Sequence, residues 1–303
     1  MRLHYRFACA ALGMALVGLS TDPAASPGFS AWSVPLNLGP TINSAYIDAG
    51  PAISKDALSL YFTSDRPGGY GSVDIWVSQR FTVDAPWGPP QNLGPIVNTG
   101  ALEAIPALSR DEHWLFFNST RSGGFGQLDL WASYRADIHN DFAWETPVNL
   151  GPGVNSAFAD GGAAFFENDE GGPPMLFFAS TRPGGFGGFD IYKSTVRADG
   201  TLGPSTFVPE LSSAANDRRP SVRFDGQEVF FDSDRVGSQG SDLWVSTPWS
   251  APVNLGPIVN SAADDNFPNI AADGEHLYFA STRPGGFGGY DLYVTTRTKQ
   301  PRH

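Results

Sequence analysis

Five acids recur at one place in a repeated sequence: Asp48, Glu103, Asp160, Asp217 and Asp265, each about three residues before a short apolar segment. Carboxylates gathered around one axis repel, and a cation, proton uptake or neighbouring donors can relieve the repulsion. Such a ring can contact a ligand or perform acid–base work. It can equally cap its own turns through backbone N–H groups, which is the preferred reading. Asn43, Asn98, Asn155 and Asn260 lie just upstream in four copies and can donate or accept. One copy breaks the pattern: Arg218 and Arg219 stand where the first copy has Ala49 and Gly50 and the last has Asn266 and Phe267, and Arg223 follows. Two arginines beside an acidic ring suit a carboxylated or phosphorylated ligand. They also suit neutralisation of Asp217 and Asp265, which is favoured because crowded acids are usually paired. The five acids with Arg218 and Arg219 form the expected ligand-binding set.

The elements that must position these groups are legible in the repeat. The string SDRPGGYGSVDIW at Ser64 returns as STRSGGFGQLDLW at Ser119, STRPGGFGGFDIY at Ser180, SDRVGSQGSDLW at Ser233 and STRPGGFGGYDLY at Ser281. Successive copies are 48 to 61 residues apart, room for about four short strands. In the first copy, Pro51 to Ser54 and Leu60 to Phe62 read as two inner strands around a turn at Lys55 and Asp56. Asp74 to Arg80 reads as a third, and a fourth contains Trp87 and ends in Asn92, Leu93, Gly94 and Pro95. Equivalent fourth strands lie at Trp144 to Leu150, Phe207 to Leu211 and Trp249 to Leu255. The fifth stands alone at Trp32 to Leu38, ahead of the first copy. If it pairs with Asp291 to Thr296, five complete blades close a ring. The expectation is an all-β, five-bladed β-propeller of four-stranded blades, closed by the N-terminal strand completing the last blade. A linear two-domain β protein would leave an unpaired strand at each end.

Each SxR arginine is followed seven or eight residues later by an aspartate, giving the expected structural pairs Arg66 with Asp74, Arg121 with Asp129, Arg182 with Asp190, Arg235 with Asp242, and Arg283 with Asp291. A bidentate pair across the intervening loop would brace the second strand to the third. The same loops carry Tyr70, Phe125, Phe186 and Phe287, with Gln239 in the fourth copy. Packing between blades is the expected role of these rings, ahead of stacking on a sugar.

Over these residues, from Trp32 to about Arg297, the chain resembles the TolB-type, WD40-like β-propeller repeat family. That family has a Pro-x-x-Ser-x-Asp inner segment, an aromatic strand, an SxR loop and a D-[IL]-[WY] strand. Copy three departs at Phe165 and Glu167, and copy four lacks the NLGP string. The resemblance implies a propeller and envelope or extracellular placement, and no single activity.

Composition agrees with these elements. The 303 residues are 41% hydrophobic, 13% aromatic and 17% charged, enough apolar material for a large core, and Gly 35 with Pro 25 disfavours helices. A formal charge of -12 repels phosphate backbones and anionic lipid, so no nucleic-acid partner is expected. Residues 1–25 read as a signal peptide, with Arg2 and Arg6 before the apolar run Phe7 to Leu19 and cleavage between about 20 and 25. Cys9 lies inside that run, without a lipoprotein box. A single propeller domain at 31–297, a tail at 298–303, and a monomeric periplasmic or secreted product without stable membrane insertion are expected.

No GxSxG, HExxH or P-loop occurs, and His113, His139, His276 and His303 lack metal-ligand spacing. No cofactor is expected; Asp264, Asp265 and Asn266 offer oxygen ligands for calcium without an EF-hand frame. The leading functional expectation is a non-enzymatic binding or scaffold module, recognising an envelope or extracellular protein segment or glycan at the channel mouth. The alternative is a glycoside hydrolase, because five-bladed propellers host that chemistry, with Glu103 as acid and Asp48 or Asp265 as base or nucleophile.

Overall fold

A computed structural model describes residues 28–167, 172–197, 200–247 and 250–300. The expected signal segment with Cys9, as well as Trp249 and His303, lies outside them. Among the described residues, the strands form five antiparallel sheets of four. The first blade is β2 (Asp48–Ile53), β3 (Ser59–Ser64), β4 (Asp74–Gln79) and β5 (Gln91–Asn92). The second is β6 (Glu103–Leu108), β7 (Trp114–Ser119), β8 (Asp129–Tyr134) and β9 (Val148–Asn149). The third is β10 (Asp160–Phe166), β11 (Met175–Ser180), β12 (Asp190–Thr195) and β13 (Thr206–Phe207). The fourth is β14 (Asp217–Val222), β15 (Val229–Ser233), β16 (Asp242–Ser246) and β17 (Val253–Asn254). The last holds β18 (Asp265–Ile270), β19 (His276–Ser281), β20 (Asp291–Thr296) and, as its outer strand, β1 (Leu36–Asn37) from the start of the ring. Leu36 lies opposite Val294 and Asn37 opposite Tyr293, so the ring closes as its sequence implies.

Each inner strand packs on the inner strand of the next blade, β18 on β2 included. The second strands carry Leu60-Tyr61-Phe62 and its counterparts, uninterrupted apolar runs because both sheet faces are covered. In the first blade, Leu60 and Phe62 pack toward Tyr278 and Leu292 of the last, while Tyr61 packs toward Leu115, Phe117 and Trp131 of the second. The core is therefore divided among the interfaces between blades.

All five inner strands bulge at their third residue, where the register with the second strand shifts. Gly50, Ile105, Gly162, Arg219 and Phe267 occupy this position, with φ between 54° and 66°. The bulges touch around the axis: a Cβ on Gly162 would lie 3.0 Å from the Arg219 Cα. Ile105, Arg219 and Phe267 hold a left-handed backbone that non-glycine residues rarely adopt, a strain kept by the packed waist of the ring.

Candidate functional site

The ring of acids sits where the inner strands begin, and every member is fully buried. Asp48 accepts from Ser44 N at 2.6 Å and Ser44 Oγ at 2.7 Å, while its other oxygen meets Arg66 Nη2 at 2.5 Å. Glu103 accepts from Thr99 N at 2.6 Å on one oxygen, and from Thr99 Oγ1 at 2.8 Å and Arg121 at 3.1 Å on the other. Asp160 meets Arg182 at 2.6 Å, Asp217 meets Arg235, and Asp265 meets Arg283 at 2.5 Å. Each acid closes its own turn and receives a guanidinium from its own blade.

The expected loop pairs do not form. Asp74 turns back on its Gly-rich loop, accepting from Tyr70 N at 2.5 Å and Gly71 N at 3.1 Å, and from Asn92 Nδ2 at 2.8 Å. Asp129, Asp190, Asp242 and Asp291 likewise accept backbone N–H groups of their own loops. Burial raises the carboxyls of Asp190, Asp242 and Asp291 above the usual range. The arginines remain braces with the other acid as partner, because Asp48 is paired across the sheet with Ser64, two residues before Arg66. The upstream asparagines extend the ladder: Asn98 accepts from Ile75 N and donates to Ile75 O, both at 2.9 Å.

The loop aromatics do not wedge between blades. Tyr70, Phe125, Phe186 and Phe287 are 48% to 59% exposed, leaving half of each ring on the surface.

Arg218 and Arg219 do not neutralise Asp217 or Asp265. Both converge on Asp232, a buried acid that sequence reading missed: Arg218 Nε donates at 3.1 Å, and Arg219 Nη1 at 3.3 Å to each carboxylate oxygen. The Arg219 guanidinium stands 3.5 Å from the Phe267 ring centroid. Its pKa is lowered by burial, opposed by Asp232 and reinforced by Arg218. Asp232 Oδ1 also lies 3.2 Å from Phe267 N, as Thr63 caps Ile105 N and Asn118 caps Gly162 N in earlier blades.

The axial channel between the inner strands holds about 70 Å³, enough for a few water molecules. A cleft of about 600 Å³ opens on the opposite end of the ring from the acids, between the first two blades. Asp56, Glu112 and Asp141 line it with Lys55, Arg80 and Arg135. Glu112 also lines the channel. It occupies the left-handed position of its hairpin, φ 62°, where the last two blades use Gly226 and Gly274. Its carboxyl accepts from Lys55 N at 2.6 Å, a tie between blades that would by itself explain an acceptor there. Burial raises its pKa most, with the Asp56 and Asp141 charges adding to the rise; the Lys55 bond and Arg135 oppose it. Asp141 is fixed by Arg135 Nη1 at 2.7 Å, Ser59 Oγ at 2.5 Å, Gln79 Nε2 at 2.7 Å and the Tyr61 hydroxyl. Sequence reading missed this cleft because Asp56, Arg80 and Arg135 sit at repeated turn-bracing positions, as Asp111 and Arg297 do, whereas Glu112 and Asp141 stand outside the repeat and carry no pattern.

Among the described residues, no group of three His, Cys, Asp or Glu side chains is arranged to hold a metal ion, and no helix is long and apolar enough to cross a membrane. His113 Nδ1 lies 2.8 Å from Arg135 O, and His276 lies 2.7 Å from Asp273.

No protein-family model matches the chain, and no curated protein sequence matches it. Solved structures do. An α-L-arabinofuranosidase from Lactobacillus brevis superposes with TM-score 0.56 at 14% identity, over 87% of this chain and 93% of that one. The catalytic domain of a family-62 α-L-arabinofuranosidase from Coprinopsis cinerea gives TM-score 0.57 at 15% identity, over 90% and 98%. TolB from Acinetobacter baumannii gives TM-score 0.50 at 16% identity over 83% of this chain; the match spans 55% of that protein. Family-43 and family-117 glycoside hydrolases are also among the neighbours. At these identities the likeness is one of fold, a five-bladed propeller. It nonetheless corrects the expectation of a non-enzymatic binding module, since the propellers matching along their whole length are mostly glycoside hydrolases.

Proposed function

We propose that this protein is a glycoside hydrolase whose proton donor is Glu112, working in the cleft between the first two blades. The carrying observation is the Glu112 carboxyl itself: half-buried, raised in pKa and facing a cavity large enough for a sugar. Protonating a glycosidic oxygen requires an acid that keeps its proton at working pH, and burial beside Asp56 and Asp141 moves the Glu112 carboxyl in that direction. The alternative site at Glu103, Asp48 and Asp265 is not favoured, because those acids are fully buried and engaged by arginines and turn donors.

In this reading Glu112 gives its proton to the leaving oxygen. Asp56, exposed on the neighbouring hairpin, faces the developing positive charge on the sugar and either activates water or attacks the anomeric carbon. Asp141, held by four donors, positions Tyr61 and Arg135 beneath the cleft. The whole-length likeness to stand-alone glycosidase propellers supports the class, and the names of those neighbours direct the first substrates to arabinans and xylo- or cello-oligosaccharides. The TolB-type resemblance of the repeat, and a periplasmic or secreted placement, accompany this reading, since polymeric glycans lie outside the cytoplasm.

Reducing-sugar release from these substrates tests the reading. Glu112→Gln should lower the rate by about 10²- to 10⁴-fold. The wild-type rate should fall as pH climbs through the raised pKa of Glu112. Wild-type rates at background on every substrate, or a variant as fast as wild type, would refute the assignment.

A further inference from the structure

Two guanidinium groups share one carboxylate beside the channel. The geometry points to a second site there: we propose that Arg218 and Arg219 bind the carboxylate of an acidic ligand, either a uronic acid residue or a small organic acid. Repeat logic makes the pair unnecessary for the fold. The work of Asp232, accepting the bulge N–H of the next blade, is performed in earlier blades by neutral Thr63 and Asn118. No arginine stands at the bulge of any other blade. The fourth blade has instead an acid with two cations converging on it, one of them in a left-handed backbone at φ 54°.

Donors remain. Arg218 uses Nε on Asp232 and Nη2 on Ser241 Oγ at 3.1 Å, and Arg219 uses only Nη1. Arg218 Nη1 and Arg219 Nε and Nη2 have no hydrogen-bond partner among the described residues. The side chains are 23% and 20% exposed, and Arg219 lines the channel. Asp234, whose charge acts on Arg218, accepts from Asn216 N at 2.7 Å and Asn216 Nδ2 at 2.8 Å. What the pair offers is therefore a set of spare N–H donors, with Asp232 bonded to both arginines and Asp234 near Arg218 without bonding it. A carboxylate matches a fork of spare N–H donors, and the channel's volume of about 70 Å³ admits such a headgroup. The Phe267 face beneath Arg219 holds the guanidinium in place.

Arg219 and Glu112 line one channel, so the test reads binding at the arginines and needs no turnover. Calorimetric titration at low salt would use D-glucuronate, D-glucose and acetate as probes, with thermal unfolding confirming that each variant is folded. Glucuronate should bind at least tenfold more tightly than glucose. Arg219→Gln should weaken glucuronate at least tenfold, and Arg219→Lys, which keeps the charge and loses the fork, should fall between. Asp232→Asn should tighten binding: the amide still caps Phe267 N, as Asn118 does for Gly162, and both arginines are released. Acetate matching glucuronate would identify a small organic acid as the ligand, whereas glucuronate binding more tightly would identify the acidic sugar. Equal binding of glucose and glucuronate, no glucuronate binding, or unchanged affinity in folded Arg219→Gln and Asp232→Asn would each overturn the proposal.

Discussion

At neutral pH an ionised Glu112 is a charge held where burial disfavours it. A carboxyl whose folded pKa lies above its unfolded value contributes its stability fully below the unfolded pKa and loses it as pH rises through the folded value. Glu112→Gln cannot ionise, and its amide oxygen can still accept from Lys55 N. The variant should therefore equal or exceed wild type in thermal stability at pH 7 to 8 while losing hydrolysis; a marked drop in its melting temperature there would mean that the carboxylate is a structural tie. Removing the charge of Glu228 should act oppositely on stability. Glu228 is buried between Arg223 and Arg297, which it bonds through both carboxylate oxygens. Glu228→Gln should destabilise by about 3–5 kcal/mol in urea unfolding, since it strands buried positive charge; a change under about 1 kcal/mol would show that the pair is solvated. At this scale the arginine braces were legible in type and misread in partner. Asp74 is near Arg66 in the chain, whereas Asp48 is near it in the sheet, and only the constant 18-residue separation in four of the five blades carried that signal.

Among the elements, the Gly-rich loop shows how close contact dictates sequence. A Cβ on Gly69 would lie 2.2 Å from Asp74 Oδ2, and on Gly124 at the same distance from Asp129 Oδ2. These glycines let the loop N–H groups reach the aspartate that begins the third strand. Gly69→Ala should thus lower the urea midpoint, with the largest loss of amide protection at Tyr70 and Gly71; unchanged protection there would contradict the loop's dependence on that contact. The loops were readable because glycine repeats in them. The bulges were not, because Ile105, Arg219 and Phe267 take a glycine-like backbone without glycine's signature, imposed by neighbouring strands around the axis. The exposure of Tyr70 and its counterparts was missed for a related reason: a ring's burial depends on its three-dimensional neighbours, and the buried Trp76 and Trp131 already lie against Gly68 and Gly123 of these loops.

For the whole molecule, closure depends on residues far apart in the chain. Ser33 N bonds Thr296 O at 2.7 Å, and the short strand β1 continues the pairing. Trp32, only 5% exposed, packs edge-on to Phe230 at 5.9 Å and carries Arg297 over its face at 4.4 Å. One side chain thereby joins the start of the ring to the fourth blade and to the end of the last. This closure was legible because an isolated fourth strand and a missing fourth strand occur at opposite ends of the repeat. If the latch holds the ring, Trp32→Ala should lose about 3–5 kcal/mol as a large buried aromatic. Val34→Ala, two residues away and 70% exposed, should change stability by no more than about 0.5 kcal/mol. Opening the latch also bares the edge of β20, so the Trp32 variant should show concentration-dependent association in light scattering as it approaches unfolding. Equal urea midpoints for the two variants would mean that the outer strand decorates a ring already closed by its inner strands.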